Sequence, residues 1–206
     1  MEYNIMSSKI YFTITNIANN NISYFTEAKY ILSFLDYDNL ENIYIRRVSV
    51  LKNMPDSKII IDNITHKCYS NHVIMGEKYD LRNPKTFDYI LKHGANIRID
   101  NDNALMWACT NGYLLVVKHL IKLGADLNAN LNAPITLAAE KGNTMIVKYL
   151  SELGADINAN CDEPIELASQ NGHIETIKYL LSVGANRNKA IRELISFGYN
   201  DLVKQI

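Results

Sequence analysis

The sequence is poor in cysteine, proline and tryptophan: its 206 residues include only 3, 4 and 1 of these, respectively. Cys68, Cys109 and Cys161 are odd in number and far apart, which fits neither a disulfide framework nor a zinc spacing and favours a reducing compartment. Charge of one sign is also missing, because 21 Lys and Arg residues stand against 22 Asp and Glu residues. This balance excludes a strongly basic nucleic-acid binder and an acidic disordered chain.

Long apolar runs are missing too, although 48% of the residues are hydrophobic and can form a sizeable core. No run approaches the roughly 18 residues of a membrane span. The N-terminus, Met1-Glu2-Tyr3-Asn4, lacks the basic region and apolar stretch of a signal peptide. We therefore expect a cytoplasmic protein with no membrane partner and no nucleic-acid partner.

Glycine marks an internal repeat in the C-terminal part of the chain. A Gly-Ala-Asn or Gly-Ala-Asp triplet begins at four positions spaced 30 residues apart, namely Gly94, Gly124, Gly154 and Gly184. A second series has the same spacing, at Gly112, Gly142 and Gly172. Apolar positions keep this register in the sets Val117, Val147, Ile177 and Leu120, Leu150, Leu180. Such self-similarity is typical of stacked repeat architectures.

Each unit has the pattern of a helix, a turn, a second helix and a loop. In the middle unit, helix formers with Pro134 in the first turn occupy residues 133–141, and Gly142 ends this helix. Residues 144–153 carry apolar residues on one helical face, and Gly154 is a helix stop. The polar stretch 156–160 predicts a tight turn or a hairpin.

The unit Gly-Ala-Asp-Ile-Asn-Ala, followed by Pro-Ile-x-Leu-Ala-x-x-x-Gly-His-x-x-x-Ile-Lys-Tyr-Leu-Leu, resembles the ankyrin repeat. The resemblance implies an α-rich ankyrin-like solenoid over residues 83–206. It comprises a half repeat (83–94), full units (95–124, 125–154 and 155–184) and a C-terminal cap (185–206). The usual period is about 33 residues, so three loop residues are missing and the fingers should be short. The Thr-Pro-Leu-His signature is eroded, and its ties between neighbouring repeats should be mostly absent.

Residues 1–82 lack the repeat and predict a small α+β module. Alternation predicts strands over residues 9–15, 43–50, 58–62 and 72–75, with a helix over 27–35 capped by Thr26. The segments 24–27, 58–61, 73–81 and 83–87 resemble the N-terminal part of ankyrin-repeat proteins from amoeba-infecting giant viruses of the Mimivirus type. That resemblance implies a viral protein acting inside a host cell, and it supplies no catalytic residues.

Site chemistry is weak throughout the sequence, so we expect no catalytic residue, no cofactor and no metal. His66, Cys68 and His72 lie close in sequence, but their spacing is not a usual zinc pattern. Trp107 and Cys109 align with small or apolar residues of the other units, which indicates core positions. His173 follows an inner-turn glycine and should be structural.

The function predicted from these observations is a non-enzymatic protein–protein interaction scaffold. The ankyrin resemblance implies that the partner lies along a concave face built from first helices and fingers. Outward positions that vary between units are the partner-binding candidates: Arg98, Asp100, Thr110, Asn111, Asn130, Glu140, Lys141, Asn160, Gln170 and Asn171. Two alternatives stay open, an enzyme or ligand-binding activity in residues 1–82 and an adaptor that recruits host ubiquitin machinery. The sequence specifies neither the partner nor the oligomeric state.

Overall fold

The computed structural model describes residues 10–15, 24–36, 43–51 and 56–206. The chain divides into two compact units, residues 1–103 and 104–206. This division lies within a helix, downstream of the domain boundary that the repeat pattern predicts between residues 82 and 83, and that boundary stays a prediction. Each unit is described below by itself.

An antiparallel sheet forms the centre of the first unit. Its strands are β1 (Tyr11–Thr15), β2 (Thr26–Glu27), β3 (Tyr44–Val50) and β6 (Val73–Asp80), in the order β2-β1-β3-β6. Phe12 lies opposite Arg47 and Ser49 lies opposite Ile74, which fixes the register. Ile45 and Val48 of β3 are buried. The sequence therefore identified β1, β3 and β6 correctly within the described residues; Lys9, in the predicted first strand, lies outside them.

A two-stranded hairpin, β4 (Ile59–Ile61) with β5 (Cys68–Ser70), completes the strands described in this unit. Phe25 and Cys68 exchange both backbone hydrogen bonds, at 2.9 and 2.7 Å, and so attach β5 to the rest of the unit. The side chains of Tyr11, Phe25, Val48, Val50 and Cys68 pack together as a buried cluster. The sequence predicted β4 and missed both β2 and β5.

Two helices of the first unit test the predicted caps. The helix predicted over residues 27–35 is a 3₁₀ helix over Ala28–Phe34. The Thr26 cap is wrong, because the Thr26 hydroxyl donates to the His66 carbonyl at 2.8 Å. Helix α1 (Pro84–Lys92) begins with proline, and the Asn83 side chain accepts a hydrogen bond from the Lys85 N–H at 3.1 Å. This is a side-chain N-cap of the usual kind.

Paired helices follow one another through the rest of the chain. They are α2 (Ile99–Thr110), α3 (Leu114–Lys122), α4 (Ala129–Glu140), α5 (Thr144–Glu152), α6 (Ala159–Gln170), α7 (Ile174–Ser182), α8 (Arg187–Ser196) and α9 (Asn200–Val203). Helix α2 begins in the first unit and ends in the second. The first helix of each unit contacts the first helix of the next, α4 with α6 and α6 with α8. The second helices do the same, α3 with α5 and α5 with α7. The predicted helix-turn-helix repeat is confirmed.

The core of the second unit keeps the 30-residue register. Ala108, Ala138 and Ala168 are fully buried, and so are Leu120, Leu150 and Leu180. Trp107 is 1% exposed, which confirms its predicted core position. Burying each leucine side chain contributes about 1.5–3 kcal/mol. Since the same column of side chains is buried in successive units, the core is continuous along the array.

The two glycine series occupy two kinds of backbone position, both with positive φ. Gly154 ends α5 with φ of 94°, and the Ala155 N–H donates to the Leu150 carbonyl at 3.0 Å. This is the hydrogen bond of a glycine-terminated helix end. Gly142 lies between α4 and α5 with φ of 70°. The predicted role of glycine as helix punctuation is confirmed at both.

The loops between units contain a feature that the sequence did not predict. Three consecutive residues adopt left-handed conformations at the start of α2, α4 and α6: residues 100–102, 130–132 and 160–162, with φ between 48° and 68°. Residues 84–206 contain no strand, so the hairpin alternative for these loops is wrong and the tight turn is right. Asn and Asp occupy most of these positions, and they tolerate this conformation better than other non-glycine residues.

Candidate partner-binding surface

The first helices are held in place by residues of the following unit. The Asn143 amide donates to the carbonyls of Cys109 and Thr110, at 2.8 and 2.9 Å. One unit later, His173 Nε2 is 2.8 Å from the Glu140 carbonyl oxygen. We call these interactions the inner-turn contacts. Their effect is to fix the C-terminal ends of α2 and α4, where four of the candidate residues lie. The structural role predicted for His173 is confirmed.

Polar ties from positions outside the Thr-Pro-Leu-His signature also join neighbouring units. The hydroxyls of Thr144 and Thr176 are 2.7 Å apart, and the Asn160 amide donates to the Leu131 carbonyl at 3.0 Å. Thr136, at the position of the signature histidine, is buried and its hydroxyl has no hydrogen-bond partner. Within the described residues, the Thr136 side chain therefore supplies no hydrogen bond between units. Residues elsewhere in the unit supply such bonds.

Thr110 is a correction to the candidate set. Its side chain is only 7% exposed, and its hydroxyl donates to the Met106 carbonyl at 3.0 Å. A threonine in a helix can satisfy its hydroxyl on the carbonyl four residues earlier, and it then needs no contact with water. Thr110 therefore does not point outward as predicted.

Asn111 and Asn171 use their amides to end their own helices. Each side chain donates to a carbonyl four residues earlier, Trp107 and Leu167 respectively, at 2.8 Å. Asn111 is half-buried and Asn171 is exposed. Of the two, only Asn171 offers a largely accessible side chain to a partner.

Glu140 and Lys141 form the accessible charge pair at the end of α4. Lys141 is exposed and Glu140 half-buried, and the Lys141 ammonium is 3.1 Å from a Glu140 carboxylate oxygen. The backbone of Glu140 is held by His173. The pair is thus positioned by the fold rather than by the flexible side chains alone.

Gln170 belongs to a polar network that the sequence did not reveal. Its amide donates to Glu166 and to Glu193, each at 3.2 Å. Lys189 forms an ion pair with Glu166, and Arg192 forms one with Glu193 at 3.2 Å. The network joins α6 to α8. Glu166 aligns with the uncharged residues Met106 and Thr136 of the other units. A charge at this repeat position was the feature of the sequence that could have indicated the network.

The loop candidates lie in the left-handed turns or just before them. Asp100, Asn130 and Asn160 are exposed, each with positive φ. Arg98 is 53% exposed at its side chain, and its Nε is 3.0 Å from the buried carboxylate of Asp102. Arg98 and Asp100 belong to the first compact unit, whereas the other eight candidates belong to the second.

The cysteines and histidines are not gathered into a reactive centre. Cys68 and Cys109 are buried, Cys161 is exposed, and burial raises the pKa of the Cys109 thiol far above its usual value. The His66 ring stacks on Tyr30, with centroids 3.8 Å apart, while Cys68 lies in the core. In the part of the chain that the structure describes, no three metal-ligating side chains come together.

Comparisons with known proteins agree with this architecture. Residues 78–131 and 128–191 match the family model for ankyrin repeats in three copies. Curated relatives from Acanthamoeba polyphaga mimivirus are named as ankyrin repeat proteins. One is 37% identical over 111 residues, covering 49% of this chain and 37% of the relative. Another is 31% identical over 140 residues, covering 55% of this chain and 67% of the relative. A third is 36% identical over 99 residues, covering 46% and 31%.

The chain therefore spans about a third of the length of two of these relatives and two thirds of the other. The predicted resemblance to Mimivirus-type proteins is confirmed at the level of sequence similarity. Among the described residues, every helix is too short or too polar to cross a membrane.

Proposed function

We propose that this chain, which belongs to the ankyrin-repeat family, is a non-enzymatic scaffold that binds a protein partner on the surface of its first helices. The site at its centre is the C-terminal end of α4, with Glu140 and Lys141, flanked by the Gln170 network of α6 and α8. Ankyrin repeats are generally protein–protein interaction modules. Affinity capture identifies the partner.

The observation that carries this proposal is that a neighbouring unit holds the backbone at the end of α4 and takes part in holding the Gln170 side chain. His173 holds the Glu140 carbonyl, and Gln170 is held between Glu166 and Glu193. Side chains that are ordered before binding lose less conformational entropy when a partner arrives. A rigid row of alternating charges is suited to recognising a folded or extended protein surface with complementary charges.

We further propose that the protein is viral and acts in the cytoplasm of a host cell. The mimivirus relatives support the origin. The balanced charge and the reduced state expected of the separated cysteines support the compartment. All three relatives are longer than the matched region, which covers 37%, 67% and 31% of them, so the partners of the whole relatives do not carry over to this chain.

The enzyme alternative can be tested at a pocket of about 430 Å³ formed by described residues of the first unit. Its lining residues are Tyr24, Phe25, Lys58, Ile60, Tyr69, Ser70, Asn71 and Val73. This lining supplies no carboxylate, imidazole or thiol among the described residues, and burial raises the pKa of Tyr24, which keeps its hydroxyl protonated. A tyrosine serves best in general acid–base chemistry when its pKa lies near the operating pH, and the pKa of Tyr24 is shifted in the opposite direction. The pocket favours binding.

Affinity capture from amoebal lysate tests the scaffold. The full chain is compared with a double variant, Glu140→Lys with Lys141→Glu, and captured proteins are quantified by mass spectrometry. We expect the main captured protein to fall at least tenfold, because reversing two positioned charges opposes a complementary surface. The matched control reverses two exposed charges on second helices, Glu152→Lys with Lys122→Glu, and should capture as the unmodified chain does. Equal capture by both double variants would contradict the proposed surface.

A further inference from the structure

The β4–β5 hairpin of the first unit carries an unusual amount of exposed apolar surface. Ile60 is 64% exposed, Ile61 48% and Ile64 91%, and Tyr69 on the facing strand is 39% exposed. Ile60 and Tyr69 lie opposite each other and share one face of the hairpin, whereas Ile61 lies on the other face. Exposed apolar side chains that share a face mark a place where another molecule can bind. The repeat surface discussed above does not use any of these residues.

Strand β4 also has a free backbone edge. Among the described strands, β4 pairs with β5 alone, through the register Ile59–Ser70, Ile60–Tyr69 and Ile61–Cys68. An edge strand without charged side chains or proline is a template for a further strand. Its three residues are all isoleucine, so neither a charged side chain nor a proline protects this short edge.

Side-chain hydrogen bonds hold both ends of β4. One carboxylate oxygen of Asp62 accepts hydrogen bonds from the N–H groups of Ile64 and Thr65, at 2.9 and 3.2 Å. The other accepts from the Thr65 hydroxyl at 2.6 Å. At the opposite end, the Asn71 side chain accepts from the Lys58 N–H and donates to the Asp56 carbonyl. Both ends of β4 are therefore held in place.

A pocket with cationic groups at its side adjoins this edge. Ile60 and Tyr69 face each other across the hairpin and line the 430 Å³ pocket together with Tyr24, Phe25 and Val73. Lys58 lines the same pocket, and the Lys67 ammonium lies 4.4 Å from the centroid of the Tyr24 ring. The aromatic and aliphatic walls suit a large apolar side chain, and the two lysines favour an acidic residue beside it.

We propose that β4 accepts an extended acidic segment of a protein partner as an added strand. The segment's backbone pairs with the free edge of β4, one large apolar side chain enters the pocket, and a neighbouring Asp or Glu lies beside Lys58. Strand addition supplies affinity through the main chain, and the pocket supplies selectivity through alternate side chains. This site is separate in residues from the repeat surface and does not depend on the function proposed for it.

Selection from a random nonapeptide library displayed on phage, with the full chain as the immobilised target, tests this site. We expect the enriched peptides to carry a large apolar residue with Asp or Glu within two positions, and to exclude proline around it. Synthetic, fluorescein-labelled versions should then bind with an affinity that falls at least tenfold for Ile60→Ser and for Lys58→Glu. A peptide with Lys in place of its acidic residue should regain binding to Lys58→Glu.

Two controls separate this site from others on the chain. Ile64→Ser removes a more exposed isoleucine of the same hairpin that does not line the pocket, and it should bind the peptides unchanged. Lys141→Glu alters the repeat surface and should also leave peptide binding unchanged. The proposal is overturned if no peptides are enriched or if Ile60→Ser and Ile64→Ser bind them equally. It is likewise overturned if light scattering shows a dimer that Ile60→Ser dissociates, since a second copy would then occupy the edge.

Discussion

Leu131 occupies a backbone position that suits asparagine better than leucine. It is left-handed, with φ of 60° and ψ of 46°, and its side chain is 74% exposed. A left-handed conformation costs an L-residue roughly 1–2 kcal/mol, and Asn tolerates it best after glycine. We therefore expect Leu131→Asn to raise the free energy of unfolding in urea by about 1 kcal/mol. Little buried surface is lost in exchange.

Leu115→Asn is the matched control for this change. Leu115 is 69% exposed but lies in the right-handed helix α3. Asparagine is a poorer helix former than leucine, so this variant should lose about 0.5 kcal/mol. If both variants shift stability in the same direction, the strain assigned to Leu131 is wrong.

The cysteines should differ sharply in reactivity. Cys161 is exposed, whereas Cys68 and Cys109 are 2% and 0% exposed. With Ellman's reagent at pH 8 we expect one thiol per native chain to react quickly and three to react in denaturant. Cys161→Ser should remove the fast phase. Fast reaction of either remaining thiol in Cys161→Ser would contradict the burial of Cys68 and Cys109.

Cys109 should also make stability depend on pH. Burial raises the pKa of its thiol in the folded state, so the unfolded state loses this proton first as pH rises. The stabilising effect is therefore present below the unfolded pKa of about 8.5 and is lost progressively above it. We expect the urea midpoint to fall between pH 8 and pH 10, and to fall less in Cys109→Ala. Parallel pH profiles for the two proteins would contradict this.

At the residue scale, the sequence identified the core positions and misjudged one polar position. Trp107 and Cys109 were predictable because their equivalents in other units are small or apolar. Thr110 was not, because its hydroxyl is satisfied inside the helix by Met106 and a polar residue type does not reveal that. The network around Gln170 depends on rotamers of long side chains on two helices, which a repeat pattern does not fix.

Among the elements, the turn between α4 and α5 is the most sensitive to a single added methyl group. Gly142 has φ of 70°, and a Cβ there would lie 2.6 Å from Nδ1 of His173. Gly154 has φ of 94° and open space around the same position. We expect Gly154→Ala to lose about 1 kcal/mol through backbone strain alone. Gly142→Ala should lose about 2–4 kcal/mol, because overpacking against His173 adds to the strain.

The comparison is made by urea denaturation of both variants and of the double variant Gly142→Ala with His173→Ala. Removing the imidazole should bring the loss of unfolding free energy caused by Gly142→Ala close to that caused by Gly154→Ala. The hydrogen bond from His173 to Glu140 is lost in this background and has to be allowed for. Equal losses for the two single variants would show that the close approach of His173 does not restrain this turn.

Helices were more predictable than strands at this scale. The 30-residue register fixed α3 to α7 and their glycine stops. Strands β2 and β5 were missed, because each is two or three residues long and is defined by partners distant in sequence, as with Phe25 and Cys68. The left-handed turns were missed since one of the three contains Leu131 and another Cys161, which carry no signal for positive φ.

In the whole molecule, repeat units contact their neighbours in sequence, so damage should spread locally. Leu194 of α8 is fully buried, and Leu194→Ala should lose about 2–5 kcal/mol. We expect amide hydrogen exchange to quicken most in α8 and α9, less in α6 and α7, and least in α3. Stability that sums over neighbouring interfaces predicts this gradient. Mass spectrometry of peptic fragments measures it.

Ile195→Ala is the control, because Ile195 is 53% exposed in the same helix and should leave exchange nearly unchanged. Uniform acceleration from α3 to α9 in Leu194→Ala would mean that the unit opens as one piece, against the expected gradient.

The architecture of the whole was largely predictable, whereas the partner-binding surface stays a proposal. Repetition fixes which residues are equivalent, and family membership follows from it. The compact units divide inside α2, between residues 103 and 104, and the domain boundary predicted between residues 82 and 83 stays a prediction. The ten candidate residues stay predictions apart from Thr110, which the fold buries.

Gly112, Gly142 and Gly172 each leave room that a side chain of the following unit fills, namely Asn143, His173 and Tyr199. Every inserted unit of thirty residues would thus bring a glycine that makes room for a side chain of the next unit. It would also bring a side chain that fills the room beside the glycine of the preceding unit. A gene built this way can grow or shrink by unequal recombination without new junctions having to evolve. Insertions of any other length would leave one glycine uncovered and one aromatic or polar side chain without its cleft.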